Sequence, residues 1–499
     1  MPTNYQKLTL KLEEISRLSG IMGILHWDQE VIMPSGAAES RAKQIGALAG
    51  IIHEKSTDPE IGSLLEKINQ ENSFNSFEEC NINEASRQYE LETKLPKNLV
   101  MELAEESSKG HQIWVKARSE NKFSDFAPVL TQLIELKKRW AEYVFPKLKA
   151  YDANIDIYER GTTMSDITPV FETLKKELIP LIRDIQLSDY NPESSFLSGE
   201  FSVAKQEKLG RHISEEMGFA FNCGRMDVSV HPFCGGSHPT DVRITTRYRN
   251  DNFIESLYAV IHETGHGLYE QGRMKEGRDL PASEALTMGI HESQSLFWER
   301  MIAQSSAFCN SYLPLIKETF PKNFRDVSAE QLYEAVNTSE ASFIRVEADE
   351  VTYPMHVILR YELEKGLFDD SIEIKSLPEL WNSKMKEYLG IEPPNDTLGV
   401  LQDTHWSGAA FGYFPSYTLG AIYASQFYQT LLKDKPQLEK IIESGNLAII
   451  REWLKQKIHK KGRLLSVPDL VKEITGEALN PTIFLKYLKQ KYKNIYRLN

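Results

Sequence analysis

The sequence predicts a mainly α-helical protein with one small β ribbon. Apolar residues return every three or four positions along most of the chain, and a single stretch alternates instead, with Pro and Gly gathered inside it. At the N-terminal end Leu8, Leu12, Ile15 and Leu18 keep the helical step, as do Ile45, Leu48 and Ile52. Segments 126–144 and 170–185 continue it, and 188–198 reads as a loop. The alternating stretches are 227–230 and 242–248, short and β-branched, with Pro232, Gly235, Gly236 and Pro239 between them. Helical spacing resumes in 253–269, 285–302 and 417–432. No fixed-period repeat and no linker divides the chain, so residues 1–499 are expected to form a single domain.

Composition narrows the classes. A chain of 499 residues, 41% of them hydrophobic, supplies a full core. The net charge of −13 is spread along the chain rather than gathered in a tail, which marks solubility and argues against a nucleic-acid partner. Residues 1–6 lack the basic start and apolar run of a secretory signal, and no stretch reaches bilayer-spanning length. A cytoplasmic protein with no membrane partner is the expectation. Cys80, Cys223, Cys234 and Cys309 are too far apart for a CxxC motif and are expected to be reduced and mostly buried.

The chemistry lies in His262-Glu263-Thr264-Gly265-His266, an HExxH string inside a helical pattern that carries Phe253, Leu257 and Ile261 on its apolar side. Histidines four apart project from one helix face and can meet one ion. Glu263 is turned about 100° from His262, which suits it to reach a metal-held water as general base rather than to serve as a ligand. Catalytic zinc needs a third protein ligand and an open position. Glu292, in His291-Glu292-Ser293-Gln294 on a second helical pattern 26 positions after His266, is the candidate. His291 is its rival, read here as a neighbour that orients the site. One zinc per chain is expected, with Co2+ or Mn2+ able to substitute in such a nitrogen and carboxylate set.

These residues resemble the carboxypeptidase Taq family of zinc metallocarboxypeptidases, and the resemblance runs the length of the chain. Besides HETGH and HESQ it rests on His231-Pro232-Phe233, Asp241-Val242-Arg243-Ile244-Thr245, Ile344-Arg345-Val346-Glu347-Ala348-Asp349, Gly399-Val400-Leu401-Gln402-Asp403-Thr404-His405-Trp406, and Trp27-Asp28-Gln29-Glu30 with Met33-Pro34. It implies a large helical homodimer, two-lobed, with zinc at the floor of a deep groove and the β ribbon beside it. The ligands it implies are His262, His266 and Glu292, with Glu263 as general base and acid. His231, Arg243, Arg345 and Asp403 fall in the signatures implied to bind substrate.

The implied reaction is hydrolysis of the C-terminal peptide bond, releasing single amino acids from peptides with a free C-terminus. An oxyanion donor beyond the metal is needed for full transition-state stabilisation. His405 and Tyr417 are the candidates; the bland alternatives are a structural histidine against Trp406 and core packing of Tyr417. Arginine offers a permanent planar fork for a terminal carboxylate; most arginines are solvated surface charges, and only their place in the signatures makes Arg345 and Arg243 the candidates. The ribbon is either an edge strand that takes an extended peptide or a plain structural hairpin. The competing functions are a zinc oligoendopeptidase or dipeptide-releasing carboxypeptidase, and a zinc- or peptide-binding protein without turnover.

Overall fold

Thr3 opens the first helix, Asn4–Val31: its hydroxyl accepts the Gln6 amide, and the Gln6 side chain reaches back to the Thr3 amide. The computed structural model describes residues 2–71 and 73–498. Helices Ala38–Ser56, Pro59–Ile68 and Ser76–Thr93 follow, and Leu8, Ile61, Leu64, Leu65, Ile68, Ile82 and Ala85 close a small core among them. The helix expected around Ile45–Ile52 is present, but it buries none of its residues against the rest of the chain.

Lys97–Glu120 and Phe123–Val144 pack against each other, and from Trp114 onward the apolar faces join one core that extends to Tyr496. The helices expected from spacing at 126–144, 170–185, 253–269 and 417–432 lie within Phe123–Val144, Met164–Gln186, Ile254–Gly272 and Pro415–Asp434, with Phe253 just before its helix. Segment 285–302 differs from its expected single helix. Thr287 caps a helix at Met288–Leu296, which passes into a π-helical turn at Phe297–Ala303. The last helix, Pro481–Tyr496, locks into the body through Lys491, whose Nζ donates to Glu350 Oε1 at 2.5 Å while Tyr492 donates to the same oxygen at 3.2 Å. Both charges are buried, so losing one partner would strand the other.

The ribbon is a three-stranded sheet, and it corrects the sequence reading in two ways. Strands β1 (Gly224–Val228) and β3 (Asp241–Thr246) run parallel, so they are not the arms of one hairpin. The Gly-rich connection itself supplies β2 (Cys234–His238), antiparallel to β3, giving the order β1-β3-β2. Nothing in Cys-Gly-Gly-Ser-His favours a strand by propensity. Close approach specifies it: Gly236 has φ +132°, and a Cβ there would lie 2.1 Å from the Asp241 carbonyl oxygen. Of the four cysteines, all free, only Cys309 is buried; the other three are half-buried, fewer than expected.

Candidate metal centre

Helix Ile254–Gly272 buries Leu257, Val260, Ile261 and Leu268, which fixes its rotation and leaves His262 and His266 together on one side. Gly265, between the histidines, lets the Met288–Leu296 helix come close: a Cβ on it would sit 2.7 Å from Ser295 Cα and 2.8 Å from the Gln294 carbonyl oxygen. Glu292 reaches the histidines by that approach. Its Oε2 lies 3.3 Å from His266 Nε2 and 3.7 Å from His262 Nε2.

The donor set fits a divalent ion. One ligand atom each from His262, His266 and Glu292 lies within 4.8 Å of the others, and all three residues are half-buried, so a coordination position stays reachable from outside. The outer nitrogens are tied back. His262 Nδ1 is 2.6 Å from Glu299 Oε2, a carboxylate that accepts its proton, so Nε2 is the nitrogen turned toward Glu292. His266 Nδ1 is 2.7 Å from His291 Nδ1, and His291 Nε2 is 3.0 Å from Glu270 Oε1. The network assigns the tautomers: His291 donates to Glu270, so its Nδ1 accepts from His266, whose Nε2 is then free for metal.

Electrostatics follow from the same contacts. Burial opposes charge on His262, but Glu292 and Glu299 outweigh it and push its pKa up to about 10, while burial, with the neighbouring histidines, takes His266 down to about 4. Burial pushes the Glu263 carboxyl up to about 7, Glu292 and Glu299 adding to the rise and His262 opposing it. Glu263 is 6% exposed and its Oε2 has no hydrogen-bond partner, so the acid is held dry with one oxygen uncommitted.

A second cluster collects residues from two of the other signatures. Arg345 Nε and Nη2 donate to Asp403 Oδ1 at 3.1 and 2.9 Å, Arg345 Nη1 donates to Tyr353 Oη at 2.8 Å, and Arg360 Nε donates to Asp403 Oδ2 at 2.6 Å. Gln402 stitches the two loops together, accepting the Arg345 amide at 2.9 Å and donating to the Phe343 carbonyl at 2.9 Å. Tyr417 lies under the Arg345 guanidinium at 4.7 Å, and His405 Nε2 is 3.3 Å from Tyr417 Oη. Burial lifts the Tyr417 phenol well above its ordinary range; Arg345 opposes the rise, and Tyr413, Tyr353 and Glu292 add to it. Trp406 donates to Glu364 Oε1 at 2.8 Å, beside the Tyr151 hydroxyl and the Gly412 amide on Oε2, so that end of the signature holds the loop. In Ile344–Asp349 the Asp349 carboxylate likewise serves the backbone, accepting the Val351 amide at 2.8 Å and the Thr352 amide at 3.1 Å.

His231 and Arg243 stand apart from both clusters. Arg243 is clamped by Asp241 through two hydrogen bonds of 2.9 Å and lies against the Trp27 ring at 4.5 Å, as does Arg225 at 4.8 Å. His231 is exposed, and its carbonyl accepts the Ser229 hydroxyl at 2.6 Å. The sequence reading missed Glu299, Glu270 and Arg360. Glu270 follows His262 and His266 at a further step of four, and Glu299 follows Glu292 by seven, spacings that place each on the same helix face as its partner. Arg360 has no such local signal.

Two histidines and a glutamate on adjoining helices, backed by carboxylates and flanked by a dry acid, form a group that could hold a divalent metal, the kind of site a metallohydrolase uses. Residues 7–492 match the family model described as Carboxypeptidase Taq (M32) metallopeptidase, and the chain belongs to that family. It is 39% identical to Carboxypeptidase 1 of Bacillus subtilis over 490 residues, 98% of this chain and 97% of that one. It is 37% identical to Thermostable carboxypeptidase 1 of Thermus thermophilus over 504 residues, 99% of each. The crystal structure of the M32 carboxypeptidase from Deinococcus radiodurans R1 superimposes with a TM-score of 0.97 at 33% identity, covering 99% of each chain. The chain is thus a metallocarboxypeptidase, a peptide hydrolase that depends on a divalent metal, and the endopeptidase reading is not favoured.

Proposed function

We propose that this protein is a zinc carboxypeptidase that removes single residues from the free C-terminus of peptides. Convergence of the His262, His266 and Glu292 ligand atoms within 4.8 Å is the observation that carries the reading. These three residues would hold one Zn2+, with Co2+ or Mn2+ able to replace it. When bound, the metal would acidify a water and polarise the scissile carbonyl.

Glu263 takes the water proton on its carboxylate and returns it to the departing amine. Tyr417, with His405 at 3.3 Å behind its hydroxyl, donates to the developing oxyanion. Arg345 binds the terminal carboxylate. Asp403 takes its Nε and Nη2 and Tyr353 takes Nη1, which leaves one N–H on each terminal nitrogen to donate to the carboxylate. Asp403 is a positioning residue in this scheme. His231 and Arg243 belong to the outer substrate groove, between two lobes, where Arg243 shapes the sheet beside the site through Asp241 and Trp27.

The single 1–499 domain, the homodimer and the cytoplasmic location belong to the same proposal. It is supported by one core running from Trp114 to Tyr496, by the family resemblance and by four free cysteines. Among the described residues no helix is long and apolar enough to cross a membrane. Mass spectrometry of an incubated peptide, with metal analysis of the same sample, tests the activity. Stepwise loss of single C-terminal residues with one zinc per chain is expected; internal fragments, or activity indifferent to a chelator, would overturn it.

A further inference from the structure

Glu159 is a buried carboxyl that the proposed reaction does not use. It follows helix Ala150–Tyr158, is wholly buried, and lies 130 positions before the residue it serves. Its Oε1 accepts the amide of Gly289, the second residue of the Met288–Leu296 helix, while Thr287 Oγ1 accepts the amide of Ile290. Two of the N–H groups that every helix start leaves unpaired are thus satisfied. Glu159 Oε2 makes no hydrogen bond, and among the described residues no cation pairs with the carboxyl; hydroxyls of Ser416 and Thr287 are its other neighbours. An acid buried this way costs stability, so its position at that helix start calls for a reason.

Packing supplies one. A Cβ at Gly289 would meet Glu159 Oε1 at 2.8 Å and Oε2 at 3.0 Å, so the carboxylate lies flat against the first turn of the helix. On the opposing helix, Pro415–Asp434, a Cβ at Gly420 would lie 2.8 Å from Glu292 Cγ, 2.9 Å from Glu292 Cβ and 3.1 Å from the Gly289 carbonyl oxygen. Glu292 comes three residues after Gly289, less than one turn, so a displacement of the turn that Glu159 grips is passed on to the Glu292 carboxylate. Metal bonds tolerate only about 0.2 Å of error.

We propose that Glu159 is a positioning residue for the metal centre: with Gly420 as the opposite wall, it sets where the Glu292 carboxylate stands relative to His262 and His266. The inference rests on Glu292 being a metal ligand. Zn2+ affinity is read by competition with a chromophoric chelator, and ligand geometry by the visible absorption of the Co2+-loaded protein. E159Q and E159A are expected to bind Zn2+ about 10- to 100-fold more weakly than the parent, with a shifted cobalt spectrum and unchanged helical circular dichroism. Parent-like affinity and spectrum, accompanied only by a lower melting temperature, would overturn the proposal, as would loss of fold in both variants. E292Q separates the two readings. If it retains metal at parent affinity, the ligand assignment fails; if it loses metal while E159Q does not, only the role of Glu159 fails.

Discussion

The Nδ1 atom of His262 sits 2.6 Å from Oε2 of Glu299, which tethers the imidazole from behind while its Nε2 faces Glu292. Glu299 comes from the π-helical turn that continues the Glu292 helix, so one continuous segment supplies both a proposed ligand and the brace for another. Glu299→Ala is expected to weaken zinc binding about 10- to 100-fold, with Glu299→Gln recovering part of the loss because its amide oxygen still accepts. Chelator competition at constant fold content measures this; parent affinity in both variants would mean that packing alone holds the ring.

Glu263→Gln keeps the volume of the side chain and removes its capacity to take a proton. The protein is expected to retain one metal per chain while kcat falls about 100- to 10,000-fold. Metal analysis and turnover on the same preparation check it, and an undiminished rate in the metal-loaded variant rules Glu263 out as the base.

Asp403 is the sole carboxylate shared by Arg345 and Arg360 in the cluster. Burial alone lifts its carboxyl, but Arg360 and Arg345 overcome that and hold it well below the usual carboxylate range. A depressed folded-state pKa means that the stabilisation is fully present above the unfolded value of about 3.9 and drains away as pH falls from there toward the folded value. Asp403→Asn is therefore expected to cost about 3–5 kcal/mol at pH 7, because it strands two buried guanidinium groups. Denaturant titrations at pH 7, 5 and 3 follow the difference from the parent, which should narrow only at the last; a gap independent of pH would contradict the ion-pair account.

Arg345 keeps one N–H on each terminal nitrogen outside its bonds to Asp403 and Tyr353. Arg345→Met is expected to lower kcat/KM for free-acid peptides by about 10- to 100-fold, the worth of a charge-assisted pair, and to leave the slow cleavage of C-terminally amidated peptides nearly unchanged. Equal losses on both substrates would remove Arg345 from carboxylate recognition.

Gly265 faces the backbone of Gln294 and Ser295 where the two helices that carry the proposed ligands touch. Gly265→Ala would force them apart and is expected to cost about 1–3 kcal/mol of stability, with weaker metal binding, since Glu292 moves with its helix. Thermal melting with and without zinc measures both effects. A variant that melts and binds zinc like the parent would show that the helices yield without moving the ligands.

The sequence by itself determined the helical class and the metal motif, because both are local properties. A helix repeats every 3.6 residues, so the periods through 126–144 and 253–269 declare a buried face, and His262 and His266 four apart declare a shared one. The spacing rule also contained Glu270 and Glu299, but a helix face shared with a ligand does not reveal which nitrogen a carboxylate will hold.

Tertiary structure decided what depends on contacts between segments distant in the chain. Strand β2 exists because Gly236 can approach Asp241, which composition reads as a turn. The two strands expected as a ribbon run parallel because a third strand lies in their connection. Arg345 is indistinguishable in sequence from a surface arginine, yet Asp403 and Tyr353 fix it inside the molecule from 58 and 8 positions away. Glu159 carries no signal in its own segment, since the helix start it grips lies 130 positions further on. Periodicity records which side of a helix is buried, whereas the partner that buries it is chosen by chain folding, and the exact seating of a metal site depends on that choice.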